Sequence, residues 1–330
     1  VVTQYEVNTG SSYQVPLVGW GGGPWGAGTW GNGQTTSTAL QLWSQQNFGE
    51  DLVYGPRGQG VYYWNANVGY SPIQITISIA APGVITLPTG FSFPDGTAIT
   101  FTSTGALPTG LSVGQVYFVV SSTGGTFSVA TSIGGSPITT TGTQSGLQYI
   151  SPRGVDLADA GDADTPIVQD YIFVSDTYRF ILVFGTNDYG QDYLDPMLIR
   201  WSDQEDPYTW TPAATNQAGS LRLSHGSQII TAVQTRQEIV VFTDTSLYSL
   251  QYVGAPYVWT AQLLGDNISI VGPNAAVVAS GRVFWMGVDK FYVYDGRVQT
   301  LNCVLRRHVF LDFNQNQAQQ VYCGTSEGFN

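Results

Sequence analysis

One pattern of polar and apolar positions occurs four times along the chain. Each copy has a polar start, an apolar run, a turn and then a second apolar or aromatic-rich run. The copies run from Gly49 to Ala66, Tyr178 to Asp203, Arg236 to Gly254 and Ser280 to Arg297. The matched positions Ile239 and Val283 are about 44 residues apart, the length of a four-stranded β-propeller blade. The pattern therefore predicts repeated β-hairpins that form blades, and an antiparallel sandwich with loosely repeated hairpins is the alternative.

A different pattern fills the stretch from Ile73 to Ile150. Apolar and polar residues alternate strictly in IQITISI, Thr, Ser and Gly are abundant, and the only charged side chain is Asp95. Pro-Thr-Gly and Gly-Gly turns separate several such short runs, as in small all-β units. We expect a small β-sandwich or barrel inserted into a blade loop, because inserted domains are tolerated where their two ends lie close together.

This reading divides the chain into three parts. Residues 1–72 hold an N-terminal segment and the first blade, residues 73–150 the inserted domain, and residues 151–330 the remaining blades. The stretch from Asn302 to Gln320 is the best helix candidate, although its Gln- and Asn-rich end weakens the apolar periodicity. Because the chain begins at Val1 and stops abruptly at Asn330, we expect it to be a segment of a longer protein.

The composition supports an all-β protein and argues against nucleic acid as a stable partner. The 330 residues are 42% hydrophobic and only 10% charged, with 40 glycines and a formal net charge of −12. An acidic surface does not gain from phosphate contacts, so stable nucleic-acid binding is not expected. No apolar run is long enough to span a bilayer, and no signal peptide is recognisable. Two cysteines, Cys303 and Cys323, are too few for a disulfide framework.

Two acidic stretches are the main candidates for chemistry. The first carries Asp156, Asp159, Asp162 and Asp164, whose spacing invites a calcium site, because carboxylate oxygens suit hard cations. It lacks the order of an EF-hand loop, and a solvated acidic loop is the favoured interpretation. The second carries Asp203, Glu205 and Asp206 and loosely resembles a sugar-hydrolase aspartate box, but without the glycine that box needs. A blade-closing turn is favoured over a glycosidase carboxylate pair.

Other side chains add little chemistry. Trp20, Trp25 and Trp30 stand in a glycine-rich stretch that fits an irregular loop over a local core, a subunit contact or a sugar-stacking surface. His225 and His308 have no evident acidic partner, and the cluster from Arg306 to His308 fits a subunit contact better than a phosphate site. We therefore expect no enzyme activity, no cofactor and no metal.

Several phrases of the sequence resemble one protein family, the tail nozzle proteins of short-tailed bacteriophages, also called tail tubular protein B or packaged-DNA stabilisation proteins. The phrases are GVYYWN, FVSDTYRFILVFG, PMLIRWSDQEDPYTWTP, IVVFTDTSLYSLQYVG and VFWMGVDKFYVYDG. They cover the predicted blades, about residues 40–72 and 151–330. The segment from 73 to 150 is similar to small β domains found across phage tail proteins, and it departs from the plainest nozzle proteins.

The resemblance implies a β-propeller subunit of a homo-oligomeric ring, a hexamer, in the virion tail. The ring would lie below the adaptor (head-to-tail connector) protein, and its lumen would retain double-stranded DNA and conduct it during ejection without specific binding. Tail fibres or the host outer surface are further partners that the inserted domain would reach. On this hypothesis the acidic stretches, with Asp156, Asp159, Asp162, Asp164, Asp203, Glu205 and Asp206, face the lumen. A carbohydrate-binding adhesin and a propeller glycosidase are the alternatives.

Overall fold

The computed structural model describes residues 42–66, 72–311, 313 and 315–326. The tryptophans at 20, 25 and 30 lie outside the described residues, as does the junction from 67 to 71. The chain is nearly all β, with 46% strand and 5% helix in several antiparallel sheets, so the all-β prediction is confirmed. None of the described helices is long and apolar enough to cross a membrane.

Ten strands precede the first helix in the described residues. They are β1 (Trp43–Phe48), β2 (Asp51–Pro56), β3 (Tyr62–Trp64), β4 (Ile73–Ile77), β5 (Ile85–Thr86), β6 (Ala98–Ser103), β7 (Val116–Thr123), β8 (Thr126–Ala130), β9 (Gln148–Pro152) and β10 (Val155–Asp156). The helix α1 (Leu157–Ala160) follows directly. Six of these strands close into a barrel in the order β4-β5-β8-β7-β6-β9, and the other four form the first sheet in the order β1-β2-β3-β10.

Twelve more strands follow in the described residues and form three further sheets. They are β11 (Gln169–Ser175), β12 (Phe180–Asn187), β13 (Leu194–Trp201), β14 (Gly219–Arg222), β15 (Ile229–Gln234), β16 (Ile239–Thr243), β17 (Ser246–Gly254), β18 (Val258–Asp266), β19 (Ala276–Ala279), β20 (Arg282–Met286), β21 (Phe291–Tyr294) and β22 (Val298–Leu301). Each consecutive group of four is one antiparallel meander, and these are the second, third and fourth sheets. The four sequence repeats fall on the second and third strands of the four sheets.

The sheets pack face to face in chain order. Side chains alternate between the two faces of a strand, so a strand buried on both faces reads as one continuous apolar run. On β12, Ile181 and Val183 enter the core shared with the first sheet, whereas Leu182 and Phe184 enter the core shared with the third. On β16, Val241 faces the second sheet and Phe242 faces the fourth. The long apolar runs of the repeats therefore mark strands sandwiched between two sheets.

The packing stops at both ends of this stack. Three core clusters join the first sheet to the second, the second to the third and the third to the fourth. Among the described residues, no core cluster joins the fourth sheet back to the first. The outer faces of the first and fourth sheets are therefore the two ends of the stack.

The barrel has a separate core. On β4 the side chains of Ile73, Ile75 and Ile77 are buried, while the residues between them are exposed, as the alternation predicts. A β-carbon on Gly105 would lie 2.4 Å from the carbonyl oxygen of Ser145, so only glycine fits where these two loops meet. Since Val155 and Asp156 of β10 pair with Tyr63 and Tyr62 of β3, the barrel is inserted between two neighbouring strands of the first sheet.

The C-terminal helix is shorter than the sequence predicts. Instead of one helix from Asn302 to Gln320, the chain forms α2 (Arg306–Leu311) and a separate 3-10 helix from Gln315 to Gln320. No residue of α2 is fully buried. Most helical stability in proteins comes from packing an apolar face, and the Gln/Asn-rich end offers none.

Candidate functional site: the joined acidic loops and the grooves beside them

The first acidic loop begins with a helix cap. Asp156 is the N-cap of α1, and its Oδ1 atom accepts the N–H of Ala158 at 3.0 Å. An aspartate in this position satisfies a backbone donor that the helix leaves unpaired. Burial raises the pKa of the Asp156 carboxyl, the Ala158 N–H opposes that rise, and the charge of Asp159 adds to it. Asp159 itself is exposed.

Asp162 joins the first acidic loop to the second. Its Oδ2 atom accepts the backbone N–H groups of Trp210 at 2.8 Å and Thr211 at 2.7 Å. Its own N–H donates to the carbonyl of Tyr208 at 3.1 Å. Two stretches that are separate in the sequence therefore form one continuous surface, which we call the joined acidic loops (residues 156–165 and 203–211).

In the second loop, two carboxylates are engaged by the backbone. Asp203 accepts the N–H groups of Gln204 and Gln217, each at 2.8 Å. Asp206 accepts the N–H of Tyr208 and the hydroxyl of Thr209, also at 2.8 Å. The side chain of Glu205 is 69% exposed and lies 4.0 Å from Arg179. The contacts of Asp203 and Asp206 are those of a turn, which agrees with the interpretation of a blade-closing turn over a glycosidase pair.

Asp164 contributes its main chain rather than its carboxylate. The carbonyl oxygen of Asp164 accepts a hydrogen bond from Arg200, whose side chain is fully buried beneath the first loop. Arg200 also donates to the carbonyl of Asn187 at 3.0 Å, and its guanidinium lies 4.2 Å from the ring centre of Tyr189. Burial lowers the pKa of Arg200. Sequence analysis missed this residue, although an arginine within the apolar run of β13 was a visible signal.

The described residues do not bring the carboxylates together as a metal site. No group of three or more His, Cys, Asp or Glu side chains in the described ranges is placed to hold a metal ion. The imidazole of His225 is engaged by two neighbouring hydroxyls. Its Nδ1 atom lies 2.9 Å from the hydroxyl oxygen of Ser224 and 3.2 Å from that of Tyr248. Both hydroxyls meet the same ring nitrogen, which is not the arrangement of a catalytic triad.

A groove of about 580 Å³ runs between the first strands of all four sheets. We call it the first-strand groove; β1, β11, β15 and β19 line it together with Tyr322 and Cys323. Most of its polar lining is uncharged, and among the described residues that line it Asp176 is the only carboxylate. Burial raises the pKa of the Cys323 thiol, which disfavours the nucleophilic thiolate. The groove offers hydrogen bonds and apolar contact rather than acid–base chemistry.

A second cavity, of about 340 Å³, lies between the barrel and the first sheet. Tyr63, Trp64 and Tyr208 line one side of it, and Asp95 and Arg153 contribute the charged groups. The rings of Tyr63 and Tyr208 meet edge to face, with centroids 5.6 Å apart. The second acidic loop thus reaches the junction of the barrel with the first sheet through Tyr208.

The outer face of the first sheet carries a row of aromatic rings. Trp43 and Tyr54 stack with centroids 6.5 Å apart, and Tyr54 and Tyr62 stack at 5.6 Å. Cross-strand pairing continues the row from Tyr62 to Asp156 on β10, so the rings end at the first acidic loop. We call Trp43, Tyr54 and Tyr62 the aromatic row. Trp43 is 59% exposed, and Tyr54 and Tyr62 are half-buried.

The bridging role of Asp162 predicts unequal effects for two neighbouring aspartates. Asp162→Ala removes the acceptor of two backbone N–H groups, and we expect it to lower the free energy of unfolding by about 2 kcal/mol. Asp159→Ala removes an exposed carboxylate and should change it by less than about 0.5 kcal/mol. Urea unfolding of both variants tests this, and equal effects would contradict the bridging role.

The pKa of Asp156 predicts a pH-dependent effect. Because burial raises this pKa in the folded state, the carboxyl favours folding when protonated, and that contribution is lost as pH rises through the folded pKa. Asn caps a helix as well as Asp but carries no charge. We therefore expect Asp156→Asn to stabilise the protein at pH 7 and to have no such advantage at pH 3, as measured by urea unfolding at both values.

Asp244 is a control for Asp156, because its pKa is shifted in the opposite direction in the folded protein. Burial alone would raise its pKa, but hydrogen bonds from the hydroxyl and N–H of Ser227, with further backbone N–H groups, outweigh burial and lower it. The stability that the Asp244 carboxylate contributes is present at pH values above its pKa in the unfolded chain. It is lost as the pH falls through its pKa in the folded protein. Asp244→Asn should therefore destabilise at pH 7 and much less at pH 3. The same sign for both variants would contradict this assignment.

Taken together, the joined acidic loops, the two cavities and the aromatic row provide surfaces for contact. Backbone groups already engage Asp162, Asp203 and Asp206, and the first-strand groove is mainly uncharged. These arrangements suit binding and assembly better than acid–base catalysis.

No protein-family model matches the chain, and no curated protein matches it.

Proposed function

We propose that this chain is a structural, non-catalytic component of the tail of a short-tailed bacteriophage. In this proposal it is a subunit of a homo-oligomeric nozzle, a hexamer, that forms the distal channel of the virion. The channel retains double-stranded DNA and conducts it during ejection. The adaptor protein is the neighbour above the ring, and the inserted barrel is the part that reaches tail fibres or the host outer surface.

One observation supports this proposal most. The phrases that resemble nozzle proteins fall on consecutive sheets of one stack, and most of them lie on the central strands. We propose that the four sheets are blades of a β-propeller whose axis is the first-strand groove. The first strands line that groove, as the innermost strands of propeller blades line a central channel. An antiparallel sandwich, by contrast, has two packed layers rather than four in series.

Charge is compatible with a DNA conduit. A net charge of −12 opposes tight binding of phosphates, so DNA would move past this surface without being held by it. The joined acidic loops are the part of the subunit that we propose to line the lumen as far as the boundary with the next subunit, with the exposed carboxylate of Glu205 on the lumen side and that of Asp159 at the boundary. If both loops lay on the outer wall of an assembled ring, this part of the proposal would be wrong.

A carbohydrate-binding adhesin is the second candidate. The aromatic row favours it, because the exposed ring of Trp43 beside the half-buried rings of Tyr54 and Tyr62 offers a stacking surface for sugar faces, and the Asp156 carboxylate at the end of the row accepts hydroxyl hydrogen bonds in this proposal. The barrel offers less support, since Phe91 is the only strongly exposed aromatic residue among its described positions. Glycan-array binding by a monomer would favour this candidate over the conduit.

Electron microscopy of the purified protein, and of the virion, tests the proposed function. The expected result is a ring with a central channel wide enough for a B-form duplex. A protein that remains monomeric at every concentration and is absent from virion tails would contradict the proposal.

A further inference from the structure

The two ends of the sheet stack are chemically different surfaces. At the first sheet, the aromatic row presents flat rings, and the register places Gln45, Tyr54, Tyr62 and Asp156 side by side across four strands. Asp159 is exposed on α1, directly after Asp156. This end is therefore aromatic with an acidic border.

The opposite end, where Phe310 of α2 contacts Phe291 of β21 in the fourth sheet, is apolar with a basic border. Val304, Leu305 and Leu311 are 101%, 60% and 76% exposed, around the short helix α2. Arg307 and His308 are exposed on the same helix, and Arg306 contacts Asp289 at 3.2 Å. A shallow cavity of about 500 Å³ lies here, lined mainly by residues 303–311. We call this surface, residues 303–311, the basic end.

Each surface lacks what the other provides. At the basic end, three exposed apolar side chains lie together, Val304, Leu305 and Leu311, and such patches mark interaction sites. In the aromatic row, Trp43 is exposed and Tyr54 and Tyr62 are half-buried. The carboxylates beside the aromatic row and the cations beside the exposed leucines have opposite charge, which favours their association and opposes pairing of either surface with itself. Arginine and aromatic rings are also the side chains enriched at protein–protein contacts.

We propose that the aromatic row of one copy of this chain packs against the basic end of the next copy. Contact between two different surfaces is heterologous, so repeated contacts close into a ring when the rotation allows it and otherwise continue as a filament. This inference rests on the proposed ring function and assigns its subunit interface. A glycan on the aromatic row is disfavoured because it would leave the exposed apolar side chains of the basic end uncovered.

Charge reversal with rescue tests the interface in the full chain. Arg307→Glu and Asp159→Arg are each expected to weaken association at least ten-fold in sedimentation velocity, and the double variant should restore it. Asp192→Arg, an equal charge change at an exposed residue of the loop between β12 and β13, should leave association unchanged and should not rescue Arg307→Glu. Trp43→Ala should weaken association in a way that added salt does not mimic, since it removes apolar contact rather than charge.

The outcomes separate this interface from the proposed function. Rings that persist in both single charge variants and in Trp43→Ala would overturn the interface while leaving the nozzle proposal in place. A wild-type chain that stays monomeric would overturn both. A monomer that binds glycans and loses binding in Trp43→Ala would assign the aromatic row to carbohydrate instead. Circular dichroism of every variant checks that it is folded.

Discussion

Trp210→Ala is expected to lower the free energy of unfolding by about 4 kcal/mol, the largest effect of any substitution considered. Trp210 has no exposed surface and packs in the core shared by the first and second sheets, with Val53, Leu157 and Ile172. Its indole N–H also donates to the carbonyl of Pro207 at 2.8 Å. Alanine would leave a large cavity and an unpaired carbonyl in the segment that Asp162 holds. Urea unfolding at pH 7 measures the loss.

Tyr257 provides the matched control. It is an aromatic residue of the third sheet's last hairpin, and 79% of its surface is exposed. Tyr257→Ala should change the free energy of unfolding by less than about 0.5 kcal/mol. A loss below about 1.5 kcal/mol for Trp210→Ala would show that the contact between the first two sheets contributes little to stability.

Arg200→Ala is the second large expected effect, a loss of about 3 kcal/mol. The arginine is fully buried, yet it contacts the carbonyls of Asn187 and Asp164 and the ring of Tyr189 rather than a carboxylate. Removing it leaves the buried carbonyl of Asn187 and the partly buried carbonyl of Asp164 without these donors, at about 1–3 kcal/mol for the buried group. The arginine charge no longer has to be buried, and this offsets part of the cost. Thermal and urea unfolding should agree on the loss.

Two further variants separate the causes of this loss. Arg200→Met keeps most of the side-chain volume but none of the hydrogen bonds, so we expect it to remain about 2 kcal/mol less stable than the wild type. Arg179→Ala, at a side chain that is 50% exposed and 4.0 Å from Glu205, should cost less than about 1 kcal/mol. If Arg200→Met were as stable as the wild type, the hydrogen bonds from Arg200 to the loops would make no net contribution to the free energy of unfolding.

The sequence predicts the strands of this protein better than its site. Apolar runs such as those of β12 and β16 identify buried strands because both faces of each strand meet another sheet. The short strand β10, with only Val155 and Asp156, carries no such signal. Its partner strand β3 is far away in the sequence, because all six strands of the barrel lie between the two. The periodicity of apolar residues along the chain indicates how a segment packs locally, but it does not indicate which distant segment a strand pairs with.

The acidic stretches show a second limit. Their composition is visible, but whether an aspartate is solvated or engaged depends on where other backbone segments lie. Asp162 and Asp159 look equivalent in the sequence, yet Asp162 binds the N–H groups of Trp210 and Thr211 while Asp159 is exposed. Arg200 was missed for the same reason, because its partners are carbonyl oxygens, which every residue has.

The insertion of the barrel between β3 and β10 has a consequence for the order of folding. The first sheet is complete only when these strands meet across residues 65–154, roughly 90 residues of chain. In the folded barrel Ile73 pairs with Ile150, so the same connection then behaves like a loop of about 12 residues, 65–72 and 151–154. The entropy cost of closing the loop falls by about 2 kcal/mol on that change of length. A chain that folds its barrel first therefore completes the first sheet more readily than one that does not.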